Sequence, residues 1–189
     1  MWFNARIVFL KKLREQPLTN GSITPSSRYL ARAMIHGIDF TKIHTIVEFW
    51  PWTWSFTKLV VDRMHKSTTF ICVEVDEEYV KLLHTLYGHH IIIEHTNVTD
   101  LPAILSKHNI AKVDLIISGL PFQVYTHSLI NSLAVLIKQG TVFRWFSYTP
   151  YWVRKIYKWL PLQHKKMVIH NIPPAFVFGP NYISHIYRE

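Results

Sequence analysis

Along this chain, short runs of β-branched and aromatic residues alternate with stretches in which apolar residues return every three or four positions. Thr45–Phe49, Phe70–Val75, Ile91–Glu94, Val113–Ser118 and Val142–Tyr148 show the first pattern and predict strands. Ser55–His65, Glu77–Tyr87, Pro102–His108 and Phe122–Lys138 show the second and predict the helices between them. Strand and helix taking turns in this way predicts an α/β fold, a mostly parallel sheet with helices on both faces. Lys166–His170 and Ala175–Phe178 add an antiparallel pair at the sheet edge, which makes seven strands.

Ahead of this domain, which runs over 21–189, positions 1–20 carry a different signal. Phe3, Ile7, Leu10 and Leu13 fall on one helical stripe, with Arg6, Lys11, Lys12 and Arg14 between them. This basic amphipathic helix either lies on a membrane surface or packs on the domain. Pro17 to Ser27 reads as a loop, and a helix over Arg28–His36 starts from Ser26 or Ser27. A second basic amphipathic helix is predicted at Tyr151–Leu160, where Trp152, Ile156 and Trp159 oppose Arg154, Lys155 and Lys158.

Composition narrows the setting. With 189 residues the chain fills one α/β domain and is short for two. A formal charge of +9 favours anionic surfaces and does not choose between nucleic acid and lipid headgroups. The single cysteine, Cys72, sits in an apolar run with no partner for a disulfide or a thiolate metal site, so a reducing, cytoplasmic setting is expected. The basic residues in 1–20 argue against a signal peptide or a span, leaving a soluble chain or one peripheral on the inner membrane face. Of 12 histidines only His89 and His90 are adjacent, and no metal-ligand spacing occurs, so no metal is expected.

In open α/β sheets the ligand binds beyond the carboxyl ends of the strands, nearest the first strand-to-helix turn. That turn here is Glu48-Phe49-Trp50-Pro51-Trp52-Thr53-Trp54. The second strand ends in Glu74, where an acidic side chain is placed to accept both hydroxyls of a ribose. His95-Thr96-Asn97-Val98 follows the third strand, and Ser118-Gly119-Leu120-Pro121-Phe122 follows the fourth.

With glycine in place of each tryptophan the first turn would read E-F-G-P-G-T-G. That is similar to the nucleotide-binding signature of class I S-adenosylmethionine-dependent methyltransferases, which are Rossmann-like. The wider resemblance is to bacterial phospholipid N-methyltransferases and, more distantly, to rRNA adenine dimethylases. It includes Gly21-Ser22-Ile23-Thr24-Pro25-Ser26-Ser27, Phe146-Ser147-Tyr148-Thr149-Pro150 and Asn171-Ile172-Pro173-Pro174-Ala175-Phe176. The resemblance implies S-adenosyl-L-methionine as cofactor, held around Glu48, Trp50, Trp52, Trp54, Glu74, Asn97, Val98 and Ser118. Glu74 would take the ribose and Asn97 the adenine amine.

By the same resemblance Gly119, Leu120, Pro121, Phe122 and Tyr148 face the methyl acceptor, with Phe122 and Tyr148 nearest the chemistry or simply packing the strand ends. Gly119 stands where the adenine dimethylases carry Asn or Asp, which removes the group that would bind a target base. The implied activity is therefore methylation of a phospholipid headgroup amine, of the phosphatidylethanolamine type. The alternatives are an RNA adenine methyltransferase and a cofactor-free lipid- or RNA-binding module.

The module reading takes the tryptophans literally, because indoles block a loop whose backbone must approach the cofactor. Two histories account for them. Either a methyltransferase has decayed, or codons read as glycine in the source have been rendered as tryptophan. The second changes glycines only and into tryptophan only, and it fits a chain with 6 glycines, well under the typical share of about 7%.

Overall fold

A computed structural model describes residues 28–51, 55–148, 160, 164–171 and 173–179. The helix expected at 1–20, that at Tyr151–Leu160 apart from Leu160 itself, the loop at Pro17–Ser27, and Trp52 and Trp54 lie outside those residues. Seven strands form one sheet: β1 (Thr45–Phe49), β2 (Thr69–Glu74), β3 (Ile92–His95), β4 (Leu115–Ser118), β5 (Val142–Ser147), β6 (His164–Val168) and β7 (Ala175–Gly179). Their order is β3-β2-β1-β4-β5-β7-β6. The first five pair in parallel, and β7 runs antiparallel to both β5 and β6.

The central strands β1, β2 and β4 are largely apolar because both faces are covered, with Glu48, Glu74 and Ser118 the buried polar exceptions. Every residue of β4 is buried, and in β1 all but Thr45. Alternate side chains then feed two cores. Ile46, Phe70, Cys72, Leu115 and Ile117 pack under α1 (Arg28–Met34), α2 (Ser55–Val61) and α3 (Glu77–Tyr87). Val47, Phe49, Ile71, Val73 and Ile116 pack under α4 (Leu101–Lys107) and α5 (His127–Lys138). Cys72 is a buried core residue.

Local signals set the helix ends. Asp76 caps α3, its carboxylate accepting from the amides of Glu78 and Tyr79 at 3.0 and 3.2 Å. The helix predicted at Phe122–Lys138 is split: Phe122–Val124 form a 3-10 turn, and α5 starts only after Thr126, whose hydroxyl accepts from Leu129 N. The interruption is Tyr125, which is drawn into the core as described below. The edge strand also shifts. Lys166–His170 is replaced by His164–Val168, since β6 pairs through its backbone with β7 and does not require apolar side chains at its start. Among the described residues no helix is long and apolar enough to cross a membrane.

Candidate cofactor and methyl-transfer site

Strand order reverses between β1 and β4, where the loops leaving the two strands part. Phe49 and Ser118 are the paired last residues. Beyond them the Trp50 amide donates toward β2, to the Val73 carbonyl at 3.0 Å, while the Gly119 amide donates to the Phe49 carbonyl at 3.1 Å. The two backbones pass so closely that a Cβ on Gly119 would stand 3.2 Å from the Trp50 carbonyl oxygen. A side chain at 119 would require the facing Trp50 carbonyl to give by a few tenths of an ångström, and glycine lets the two backbones meet without that adjustment.

Two buried carboxyl groups lie on the same side of the sheet near the ends of β1 and β2. Glu48 Oε2 accepts from the Thr57 hydroxyl at 2.8 Å, with the Cys72 thiol 3.8 Å away, whereas Oε1 is buried with no hydrogen-bond partner. Burial pushes the Glu48 acid up to about 8. The Glu74 charge adds to this, and the Thr57 and Cys72 hydrogen bonds oppose it. Glu74 ends β2, and its Oε1 accepts from the amides of Val75 and Asp76 at 2.8 and 2.9 Å. Those bonds fix the carboxylate at the strand end.

The Glu48 shift has a measurable consequence. The folded chain holds a proton that an unfolded carboxylate releases near 4.5. Stability of the ligand-free protein should therefore fall as pH rises from about 4.5 to about 8, by a few kcal/mol in total, and then level off. Urea unfolding at pH 5, 6.5 and 8 measures the slope. Glu48→Gln removes the titration and is expected to flatten it; an unchanged slope in that variant would locate the titrating group elsewhere.

Trp50 departs from the chemistry of its residue type. Its φ is +59°, in the left-handed region that bulky side chains avoid. The ring is half-buried and packs against the cores on both faces of the sheet, so it occupies the mouth of the crevice. The backbone at 50 is thus in a glycine conformation while carrying the largest side chain.

Around the other rim, Asn97 caps a short 3-10 turn. Its Oδ1 accepts from the Thr99 amide and hydroxyl, both at 3.0 Å, and Val98 beside it is buried. The Ser118 hydroxyl is buried and shares a 2.6 Å hydrogen bond with the Tyr125 hydroxyl. Leu120 is buried, and its carbonyl accepts from the Trp145 indole N–H at 3.0 Å. Tyr148 follows β5 and stacks edge-on to Phe146 at 5.5 Å.

The strand ends therefore bring Glu48, Trp50, Glu74, Ser118 and Gly119 to one crevice, with Asn97 and Val98 beyond β3 and Tyr148 beyond β5. Phe122 lies in the 3-10 turn following Pro121. Three residues that hold this arrangement, Thr57, Tyr125 and Trp145, carry no motif. Only the polar atom each buries among apolar neighbours would have marked them.

The chain is 28% identical over 134 residues to an ornithine lipid N-methyltransferase of Singulisphaera acidiphila, covering 70% of each. In fold it is similar to TrmN from Thermus thermophilus, with a TM-score of 0.64 and 14% identity over 79% of this chain and 47% of that one. A tRNA (uracil-54, C5)-methyltransferase from Pyrococcus abyssi, solved with S-adenosyl-L-homocysteine, gives 0.60 and 12% over 79% and 36%. This is the class I methyltransferase fold. The chain spans about half or less of those two structures. It covers 63% of an S-adenosylmethionine-dependent O-methyltransferase from Thermotoga maritima that matches 80% of this chain with a TM-score of 0.55 and 13% identity. No family model matches the chain.

The fold and the methyltransferase resemblance expected from the sequence both hold. S-adenosylmethionine fits most of what is present. The unpartnered, buried Glu48 Oε1 can take a hydrogen-bond donor, Glu74 ends the strand beside it, and Gly119 adds no side chain to the crevice. The Trp50 side chain alone, among the described residues, stands against that fit.

Proposed function

We propose that this S-adenosylmethionine-dependent methyltransferase acts on the headgroup amine of a membrane lipid, phosphatidylethanolamine or a lipid of similar amine chemistry. The observation that carries the lipid reading is the ornithine lipid N-methyltransferase, similar over 70% of both chains. The cofactor supplies an electrophilic methyl on a sulfonium. A neutral amine needs little beyond alignment with it and a route for its proton to water or to the lipid's own phosphate.

The chain's residues suit that modest demand. Glu74 would anchor the ribose, and Glu48 Oε1 would take a polar or cationic group of the cofactor. Tyr148 would flank the amine with its ring, which tolerates the cation that repeated methylation leaves. Gly119 offers no side chain to bind a base, which favours the lipid over an RNA adenine. The protein would work on the inner face of the membrane as a peripheral enzyme, with the basic segment 1–20 against anionic lipid.

Labelled S-adenosylmethionine and the chain with glycine at 50, 52 and 54 provide the test. Methyl label is expected in vesicles containing phosphatidylethanolamine or ornithine lipid and absent from RNA transcripts. Label in RNA and none in lipid would replace this reading with an RNA methyltransferase.

A further inference from the structure

A second surface sits on the same rim of the sheet as the crevice. Because β7 opposes both neighbours, β6 runs in the same direction as β5. Met167 pairs with Phe176, which pairs with Ser147 at the end of β5. Met167 is therefore level with the end of β5, and Ile169 and His170 lie beyond it, on the side where β1, β2 and β4 also end. α1 lies against this end of the sheet, touching β5, β7 and β6.

Between α1 and β6 is a shallow groove of about 250 Å³, and none of the nine residues lining it is acidic. Five large hydrophobic residues are exposed among the described ones. Two of them gather here, Tyr29 at 41% and Ile169 at 60%; Met167, at 54%, pairs with Phe176 and so points to the opposite face of the sheet. Cations surround them. Arg32 and Lys166 line the groove with His36 and His170, and the Arg28 guanidinium lies 5.1 Å from the Tyr29 ring centroid. The local field is positive: after burial, Lys166 and Arg144 are what hold His36 below its ordinary value. Exposed apolar side chains ringed by cations match an anionic bilayer, whose headgroups take the charges while the apolar tips enter the acyl boundary.

We propose that the α1–β6 face is a docking surface for an anionic phospholipid bilayer, seating the crevice rim at the membrane. This deepens the lipid reading above by naming the surface that meets the lipid. It is tested by vesicle binding without methyl transfer, so the two fail separately.

Flotation of the full chain is measured with phosphatidylcholine vesicles and with vesicles that also contain phosphatidylglycerol. Binding is expected only to the second and weakens with salt. Removing Arg28 and Arg32 together as alanines lowers partitioning about 25-fold, roughly five-fold for each cation. Tyr29→Asp with Ile169→Asp, at exposed positions, abolishes it while circular dichroism and thermal melting stay those of the parent. Lys138→Ala, at the end of α5 just ahead of β5 and so on the opposite rim, changes partitioning less than about two-fold. Parent-like flotation by both patch variants overturns the proposal. So does loss of RNA binding with flotation intact, which would assign the face to nucleic acid.

Discussion

Glycine at positions 50, 52 and 54 is expected to give a chain that binds S-adenosylmethionine, while the sequence as it stands binds it at least about a hundred-fold more weakly, roughly 2.7 kcal/mol. Trp50 shows why the gain appears in binding and not in stability. Holding a bulky residue at φ +59° costs about 1–3 kcal/mol. Glycine relieves that cost, but it gives up the packing of a half-buried indole, about 1–2 kcal/mol, and adds unfolded-chain entropy of about 0.5–1 kcal/mol. These contributions nearly cancel, so the melting temperature of Trp50→Gly should stay within a few degrees of the parent. What changes is the mouth of the crevice, where the ring is replaced by backbone a cofactor can approach. Calorimetric titration of both chains measures it, and an absence of binding by the glycine chain would remove the cofactor from the account.

The codons decide between the two histories. UGG at all three positions points to a decayed enzyme. UGA points to a loop that is glycine in the source, where the peptide mass would confirm it.

Much of the scaffold was legible because local chemistry and tertiary demand coincide. β1 at Thr45–Phe49 and α3 at Glu77–Tyr87 match the expected bounds to the residue. A doubly covered strand is mostly apolar, as β1 is apart from Thr45 and Glu48, and Asp76 both breaks the preceding segment and caps the following helix. The helix across Phe122–Lys138 misled because Tyr125 fits a helical apolar stripe equally well, and only the buried Ser118 hydroxyl reveals that Tyr125 leaves it. β6 was misplaced by two residues because an edge strand pairs through backbone, which hydropathy does not report. At the site, Glu48, Glu74 and Gly119 were legible from position along the strands. The orphan Oε1 of Glu48 and its shifted acid were not, since they depend on how completely the helices packed over β1 bury the carboxyl.

Trp145 links that scaffold to the chemistry. Among the described residues it is the largest fully buried side chain; it sits opposite Ser118 in the β4–β5 register and lies between Tyr125 at 5.7 Å and Phe178 at 5.2 Å. Through its N–H it also holds the Leu120 carbonyl, in the middle of the segment that the proposed function sets against the methyl acceptor. Trp145→Ala should cost about 3–5 kcal/mol through the cavity it leaves. That is a large part of the 5–15 kcal/mol that typically holds a domain together.

Trp145→Phe separates packing from positioning. It keeps most of the ring volume but strands the buried Leu120 carbonyl, at a cost of about 1–3 kcal/mol. In the glycine-bearing chain its kcat is expected to fall about ten-fold as the acceptor segment loosens. Cofactor affinity, which the proposed function assigns to Glu48, Glu74 and the β1 turn, should move less than about three-fold. Equal loss in both would mean the whole crevice has relaxed. Loss of stability with kcat intact would make Trp145 a core residue and no more, leaving the Ser118–Tyr125 hydrogen bond to hold the segment.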